Sequence, residues 1–270
     1  MTDLRRISTS GTGHLGAIRT ITLRDLQHWR QQPAPVLIGW FFPVLVAVMF
    51  GTLFGGAVST PGAENYYAYL LPGILAVTMF FGLETTMTAV ATDAGRGVTD
   101  RFRSLPISGV AVVGGRASAD MIGSIVGLAI TATSGLILGW RTDAGAGAIL
   151  GACAVLLLLR LSLLWVGIYL GLTVRGTETV AAIQILMWPF MFLSNVFIDP
   201  TSMPSWLAAV AQWNPLSATA TATRDLFGSP GWESAGWVTD NALIVAIAWP
   251  VALLAVFLPL SVRAYRRLGD

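Results

Sequence analysis

Few side chains in this sequence could do chemistry, and one charged stretch between long apolar runs gathers several of them. Residues 93–116 read DAGRGVTDRFRSLPISGVAVVGGR, with Arg96, Arg101, Arg103 and Arg116 set against Asp93 and Asp100. Long apolar runs lie on both sides. Thr99, Asp100, Arg101, Phe102, Arg103, Ser104 and Leu105 could form two turns of helix before Pro106 disfavours helical geometry at Leu105 and stops it. Such a helix would carry Phe102 and Leu105 on one side with arginines around them, which suits a knob pressed into a partner's cleft. The same residues would serve equally as a solvated connector held on its side of a membrane by arginine alone. The loop by itself leaves both open.

Three further ionisable groups sit in apolar surroundings. Asp120 is one turn past Arg116 and is expected to pair with it. Glu84 and Arg160 fall at similar depths in two apolar runs, so they are the expected buried pair. An arginine near mid-membrane costs roughly 2.5–3.5 kcal/mol, and the leucines around Arg160 return a similar amount. The pair could be a substrate or gating contact, or an ion pair that only holds helices together.

Other chemistries lack their parts. His14 and His28 are the only histidines, and no HExxH or GxSxG occurs. Gly11, Gly13 and Gly16 match GxGxxG, but no strand precedes them to make a dinucleotide site. The single cysteine, Cys153, cannot form an intramolecular disulfide. The sequence has no lysine, so it cannot carry a Walker A phosphate loop, and any ATP that drives it must bind another chain. A net charge of +2 without a basic run excludes nucleic acid as a partner.

The composition places these residues in lipid. Only 11% of residues are charged and 54% are apolar, with a mean hydropathy of +0.70, whereas soluble domains carry about 25% charged residues. Residues 1–14 are polar and small, suggest a flexible start, and lack the apolar core of a signal peptide. Residues 15–34 form an amphipathic helix: Leu15, Ile18, Thr22, Leu26 and Trp29 share a face, and Pro33 and Pro35 end it. It suits the membrane interface, or a docking place on protein. Residues 35–270 then hold six expected spans, near 35–54, 67–91, 117–140, 146–172, 179–198 and 242–262. Tyr66, Tyr67 and Tyr69 are expected to form an interfacial belt. With both termini inside, thirteen arginines fall on the cytoplasmic side and only Arg141 and Arg224 outside, the bias that sets topology in a plasma membrane.

Two patterns remain. Ala119, Gly123, Gly127, Thr131, Gly135 and Gly139 recur every four residues, which predicts close helix approach. Residues 199–228 lie where an outer loop is expected, yet they are apolar. Ser205–Trp213 and Pro215–Phe227 are too short to span, and Asn214-Pro215 breaks the helix between them. They predict a re-entrant hairpin in which Asn214 caps the second helix, Arg224 and Asp225 return the chain to water, and Trp213, Asn214, Pro215 and Leu216 act as an outer gate.

Two motifs carry a likeness. Gly97 to Ser108 (GVTDRFRSLPIS), followed by Gly115-Arg116, resembles the loop between spans two and three of ABC-2-type permeases of the daunorubicin-resistance exporter kind found in actinobacteria. Asn214 to Ala218 (NPLSA), followed by Arg224-Asp225, is similar to their motif before the last span. The likeness runs over residues 15–267. It implies an all-α, six-span fold of the type V ABC exporter kind and an export permease rather than an enzyme. It also implies a second permease subunit, and two cytoplasmic ATPase subunits that carry ATP and Mg. Thr99, Asp100, Arg101, Phe102, Arg103 and Leu105 would then be the coupling helix. The cargo would be a hydrophobic or amphiphilic small molecule. An ion-coupled or passive transporter is the rival; the single Glu84–Arg160 pair and the lack of an internal repeat weigh against it.

Overall fold

A computed structural model describes residues 11–31, 33–56, 66–95, 109–174, 176–198, 200–229 and 236–267. The loop helix expected at Thr99–Leu105 lies outside the described residues. The described residues are helical, without a strand: α1 (Gly11–Gln31), α2 (Pro33–Phe54), α3 (Tyr66–Gly95), α4 (Gly109–Ile137), α5 (Ala146–Thr173), α6 (Thr177–Phe192), α7 (Ser205–Trp213), α8 (Pro215–Phe227), the short α9 (Trp237–Asp240) and α10 (Ala242–Arg267). Five of these, α2, α3, α4, α5 and α10, are long and apolar enough to cross a membrane. The chain is therefore a multi-pass membrane protein.

The bundle is built around α3. Every residue from Tyr69 to Phe80 is buried, as expected of a helix that is apolar all round and has neighbours on every side. Those neighbours are α2, α4, α5, α6 and α8. α5 approaches most closely, through two glycines. A Cβ on Gly167 would stand 2.8 Å from the Leu83 carbonyl oxygen, and one on Gly171 would stand 2.7 Å from that of Met87. Such spacing lets two backbones meet in a medium where packing, not water exclusion, drives helix association.

The small-residue stripe of α4 is filled. A Cβ at Gly115 would meet Ile21 at 2.7 Å, at Gly123 the Trp29 ring at 2.7 Å, at Gly127 the Trp40 ring at 3.1 Å, and at Gly135 Leu71 at 2.8 Å. Hydrogen bonds fix the register: Thr22 Oγ1 donates to the Gly115 carbonyl at 3.0 Å, and Trp40 Nε1 donates to that of Gly123 at 3.0 Å. The apolar face of α1 is thus taken by α4, while Arg19 and Arg30 stay exposed. This face of the helix is docked on protein.

The fifth expected span is shorter than its hydropathy suggested. α6 stops at Phe192, one turn after Pro189, and residues 193–198 run in bends and turns. Sixteen residues reach about 24 Å, less than the ~30 Å of a hydrocarbon core. A one-turn 3₁₀ helix at Pro200–Ser202 leads into the hairpin of α7 and α8, of 9 and 13 residues. The break predicted at Asn214-Pro215 is where the two helices meet.

Candidate functional site

At the hairpin end of the bundle, an irregular backbone segment is held by side chains from α3, from α8 and from the link between α7 and α8. Asn214 stands between α7 and α8. Its Oδ1 accepts from the Leu216 N–H at 2.9 Å, capping α8, and Pro215 at the first helical position needs no donor there. Its Nδ2 donates to the carbonyls of Phe190 and Leu193, at 2.9 and 2.8 Å. One amide group therefore closes the start of α8 and the end of α6 together. Leu216 is buried beside it, whereas Trp213 is exposed.

Beyond Leu193 the free carbonyls find phenols and a guanidinium. The Tyr66 hydroxyl donates to the Phe197 carbonyl at 2.9 Å, and the Tyr69 hydroxyl to that of Asn195. Arg224, in α8 and only 2% exposed, donates Nε to the Tyr69 carbonyl at 3.0 Å. Its Nη2 donates to the carbonyls of Asn195 and Val196, both at 3.2 Å. Backbone that is not helical at membrane depth must be satisfied by protein, and this segment is.

Two expectations are corrected here. Arg224 does not mark a return to water: it is buried, and its neighbour Asp225 is the exposed one, because successive side chains on a helix diverge by about 100°. Tyr66 and Tyr69 are not part of an interfacial belt; both are buried, with their hydroxyls turned onto the 195–197 backbone. The sequence held a signal for this. The run Ser217-Ala-Thr-Ala-Thr-Ala-Thr223 has only small residues, which lets α3 and α5 close in on α8 until Arg224 is enclosed. Past Arg224, Gly228 adopts φ +63°, and the N–H groups of Gly228 and Ser229 close back on Asp225 and Arg224, ending α8.

A second polar cluster lies mid-bundle around Arg160, also 2% exposed. Its Nε donates to Ser124 Oγ at 2.6 Å and its Nη2 to Thr86 Oγ1 at 2.8 Å. Thr86 in turn donates to Asp120 Oδ2 at 2.7 Å, and that oxygen lies 3.8 Å from Arg160 Nη2. The carboxylate facing Arg160 is thus Asp120, not Glu84. Helix phase explains the correction. Arg160 fits between Gly82 and Thr86 of α3, where a methyl on Gly82 would overlap its guanidinium. Position 84 lies about 180° from the midpoint of 82 and 86 on a helix turning 100° per residue, so Glu84 leaves from the opposite side. No ion partner reaches Glu84 among the described residues.

The pairing expected between Asp120 and Arg116 is corrected with it. Arg116 Nη1 donates to Asp93 Oδ2 at 2.5 Å, linking α4 to α3. These two residues flank the stretch that carries Arg101, Phe102 and Arg103. Asp25 of α1 lies close by, and burial pushes its carboxyl up while Arg116 draws it back down.

The sequence matches a known family over most of its length. The ABC-2 type transporter profile matches residues 16–227. The chain belongs to the ABC-2 type transporter family. This ABC-2 chain is 34% identical over 254 residues to a daunorubicin resistance ABC transporter permease protein of Streptomyces coeruleorubidus, covering 93% of the chain and 87% of that relative. It is 24% identical over 225 residues to a doxorubicin resistance ABC transporter permease protein of Mycobacterium tuberculosis, covering 83% and 76%. The ABC-2 chain is accordingly a transport permease subunit and not an enzyme.

Proposed function

We propose that this subunit forms the membrane pathway of an ATP-driven exporter for a hydrophobic or amphiphilic small molecule, with drugs, antibiotics and lipids as the classes such a pathway would take. Two permease subunits would pair, each docked on an ATPase subunit that binds ATP and Mg, and both termini would lie in the cytoplasm. The absence of lysine supports the division of labour: the chain has no residue for a Walker A loop, so the nucleotide must sit on a partner. The names of the two drug-resistance relatives support the direction and the cargo class.

The observation that carries the coupling role is the Arg116–Asp93 link. It ties the ends of α3 and α4 on either side of the 96–108 stretch, so a push on that stretch moves both helices together. Thr99, Asp100, Arg101, Phe102, Arg103 and Leu105 would be the residues that meet the ATPase. α3 runs from this end to Tyr66 and Tyr69, which hold the 195–197 backbone. The hairpin, with Trp213, Asn214, Pro215 and Leu216 at its bend, would be the outer gate that α3 tilts between two packings.

Phe102→Asp tests this. In membranes containing the paired ATPase, the variant keeps the permease inserted and abolishes ATP-dependent export while ATP hydrolysis continues. Full export by that variant refutes the coupling role.

A further inference from the structure

The bundle holds a cleft apart from the hairpin and from the Arg160 cluster. It opens where α1 crosses the loop-side ends of α3, α4, α5 and α10, and has a volume of about 50 Å³. Its floor is apolar, with Val112 and Val113 of α4 and Ile168 and Leu172 of α5. Its rim is charged, with Arg24 and Asp25 from α1, Asp93 from α3 and Arg116 from α4.

Most of the rim's charge is already engaged. Asp93 accepts from Arg116 Nη1 at 2.5 Å. Two polar atoms are left over. The Nε of Arg116 is buried and has no hydrogen-bond partner among the described residues. Asp25 faces Arg24 only at 3.9 Å, too far for a hydrogen bond. One spare donor and one spare acceptor thus stand on two neighbouring helices above an apolar floor. Burial also holds the Asp25 carboxyl above its ordinary range, so a cation placed against it would relieve a real cost.

A ligand that satisfies both atoms needs an anion and a cation a few atoms apart, with an apolar body below them. A simple anion would meet Asp25 and Asp93; a simple cation would meet Arg24 and Arg116. We propose that this cleft binds the headgroup of a zwitterionic phospholipid with a primary amine, its ammonium against Asp25 and its phosphate against Arg116 Nε. The position favours a lipid over a soluble molecule, because the cleft lies at the ends of four apolar helices, where a bilayer's headgroups begin. Bound there, the lipid bridges α1 to α4 beside the Arg116–Asp93 link, so it would stiffen the end of the bundle that faces the 96–108 stretch.

Native mass spectrometry on the full chain tests the assignment, with phosphatidylethanolamine, phosphatidylcholine and phosphatidylglycerol offered at equal mole fraction in micelles. One phosphatidylethanolamine per chain is expected, held about tenfold more tightly than either rival, since a charged hydrogen bond is lost with the methylated amine or the missing cation. Asp25→Asn removes the preference. Leu172→Trp, which narrows the cleft without touching a charge, removes the bound lipid. Equal retention of the three lipids overturns the proposal, as does phosphatidylglycerol binding most tightly or a preference that survives both variants. Displacement by soluble phosphoethanolamine at matched concentration also overturns it, in favour of a free amine phosphate. Should Asp25→Asn fail to fold, the lipid series on the unchanged chain and Leu172→Trp decide alone.

Discussion

The Arg224 guanidinium carbon lies 3.9 Å from the centre of the Tyr69 ring, and its Nε donates to the carbonyl of that same residue. α8 is thereby clamped onto α3 through one side chain that both stacks and donates. Among the described residues Arg224 makes no salt bridge; its direct contacts are carbonyl oxygens and the ring face.

That arrangement makes Arg224 irreplaceable by lysine. An ammonium lacks the planar fork needed to reach Tyr69, Asn195 and Val196 together. Arg224→Lys is expected to lower stability by about 2–4 kcal/mol, because buried acceptors lose charged donors. Thermal unfolding in detergent checks this. A melting temperature equal to the parent's refutes the clamp.

Asn214 separates two roles that one substitution can split. Asn214→Asp keeps the oxygen that caps α8 but loses both donors to Phe190 and Leu193, and sets a carboxylate against their carbonyls. Asn214→Ala loses all three bonds, each worth about 0.6 kcal/mol in a membrane protein, for a total of roughly 2 kcal/mol. The aspartate variant is expected to be no more stable than the alanine variant. Rescue by aspartate would mean that the cap alone matters.

For Arg160 the decisive partner is Asp120. A double-mutant cycle between Asp120→Asn and Arg160→Gln is expected to show coupling of about 0.5–3 kcal/mol, the range found for residues in one network. Glu84→Gln combined with Arg160→Gln is expected to be additive. Coupling in the second cycle and not the first would restore the Glu84 pairing.

Two adjacent glycines give an internal control for the docking of α1. A Cβ at Gly115 would stand 2.7 Å from Ile21 and 3.0 Å from the Ile18 carbonyl, whereas one at Gly114 meets Ile18 at an ordinary 3.5 Å. Gly115→Ala is expected to cost about 1–3 kcal/mol through overpacking. Gly114→Ala is expected to be neutral, or to stabilise by up to about 1 kcal/mol through helix propensity. Hydrogen exchange along α1 distinguishes the two, and equal exchange in both variants refutes the close fit at Gly115.

What the sequence determined by itself was local. Span positions follow from apolar runs, the face of α1 from the spacing of Ile18, Thr22 and Trp29, the close approach along α4 from the stripe that runs from Ala119 to Gly139, and the break at Asn214 from the proline after it. Each depends on residues within a few turns of one another, so periodicity and turn chemistry suffice, except at the fifth expected span, where the helix ends at Phe192 and falls short of a crossing. Family membership was legible for a similar reason, because its motifs are short and contiguous. Tertiary structure alone decided which distant groups meet. Asp120 took Arg160, Asp93 took Arg116, and Tyr66, Tyr69 and Arg224 turned inward onto residues 195–197. Those choices depend on how each helix is rotated about its axis. At 100° per residue, a shift of one or two positions moves a side chain from one neighbour to another, and only the packing of all the helices together fixes that rotation.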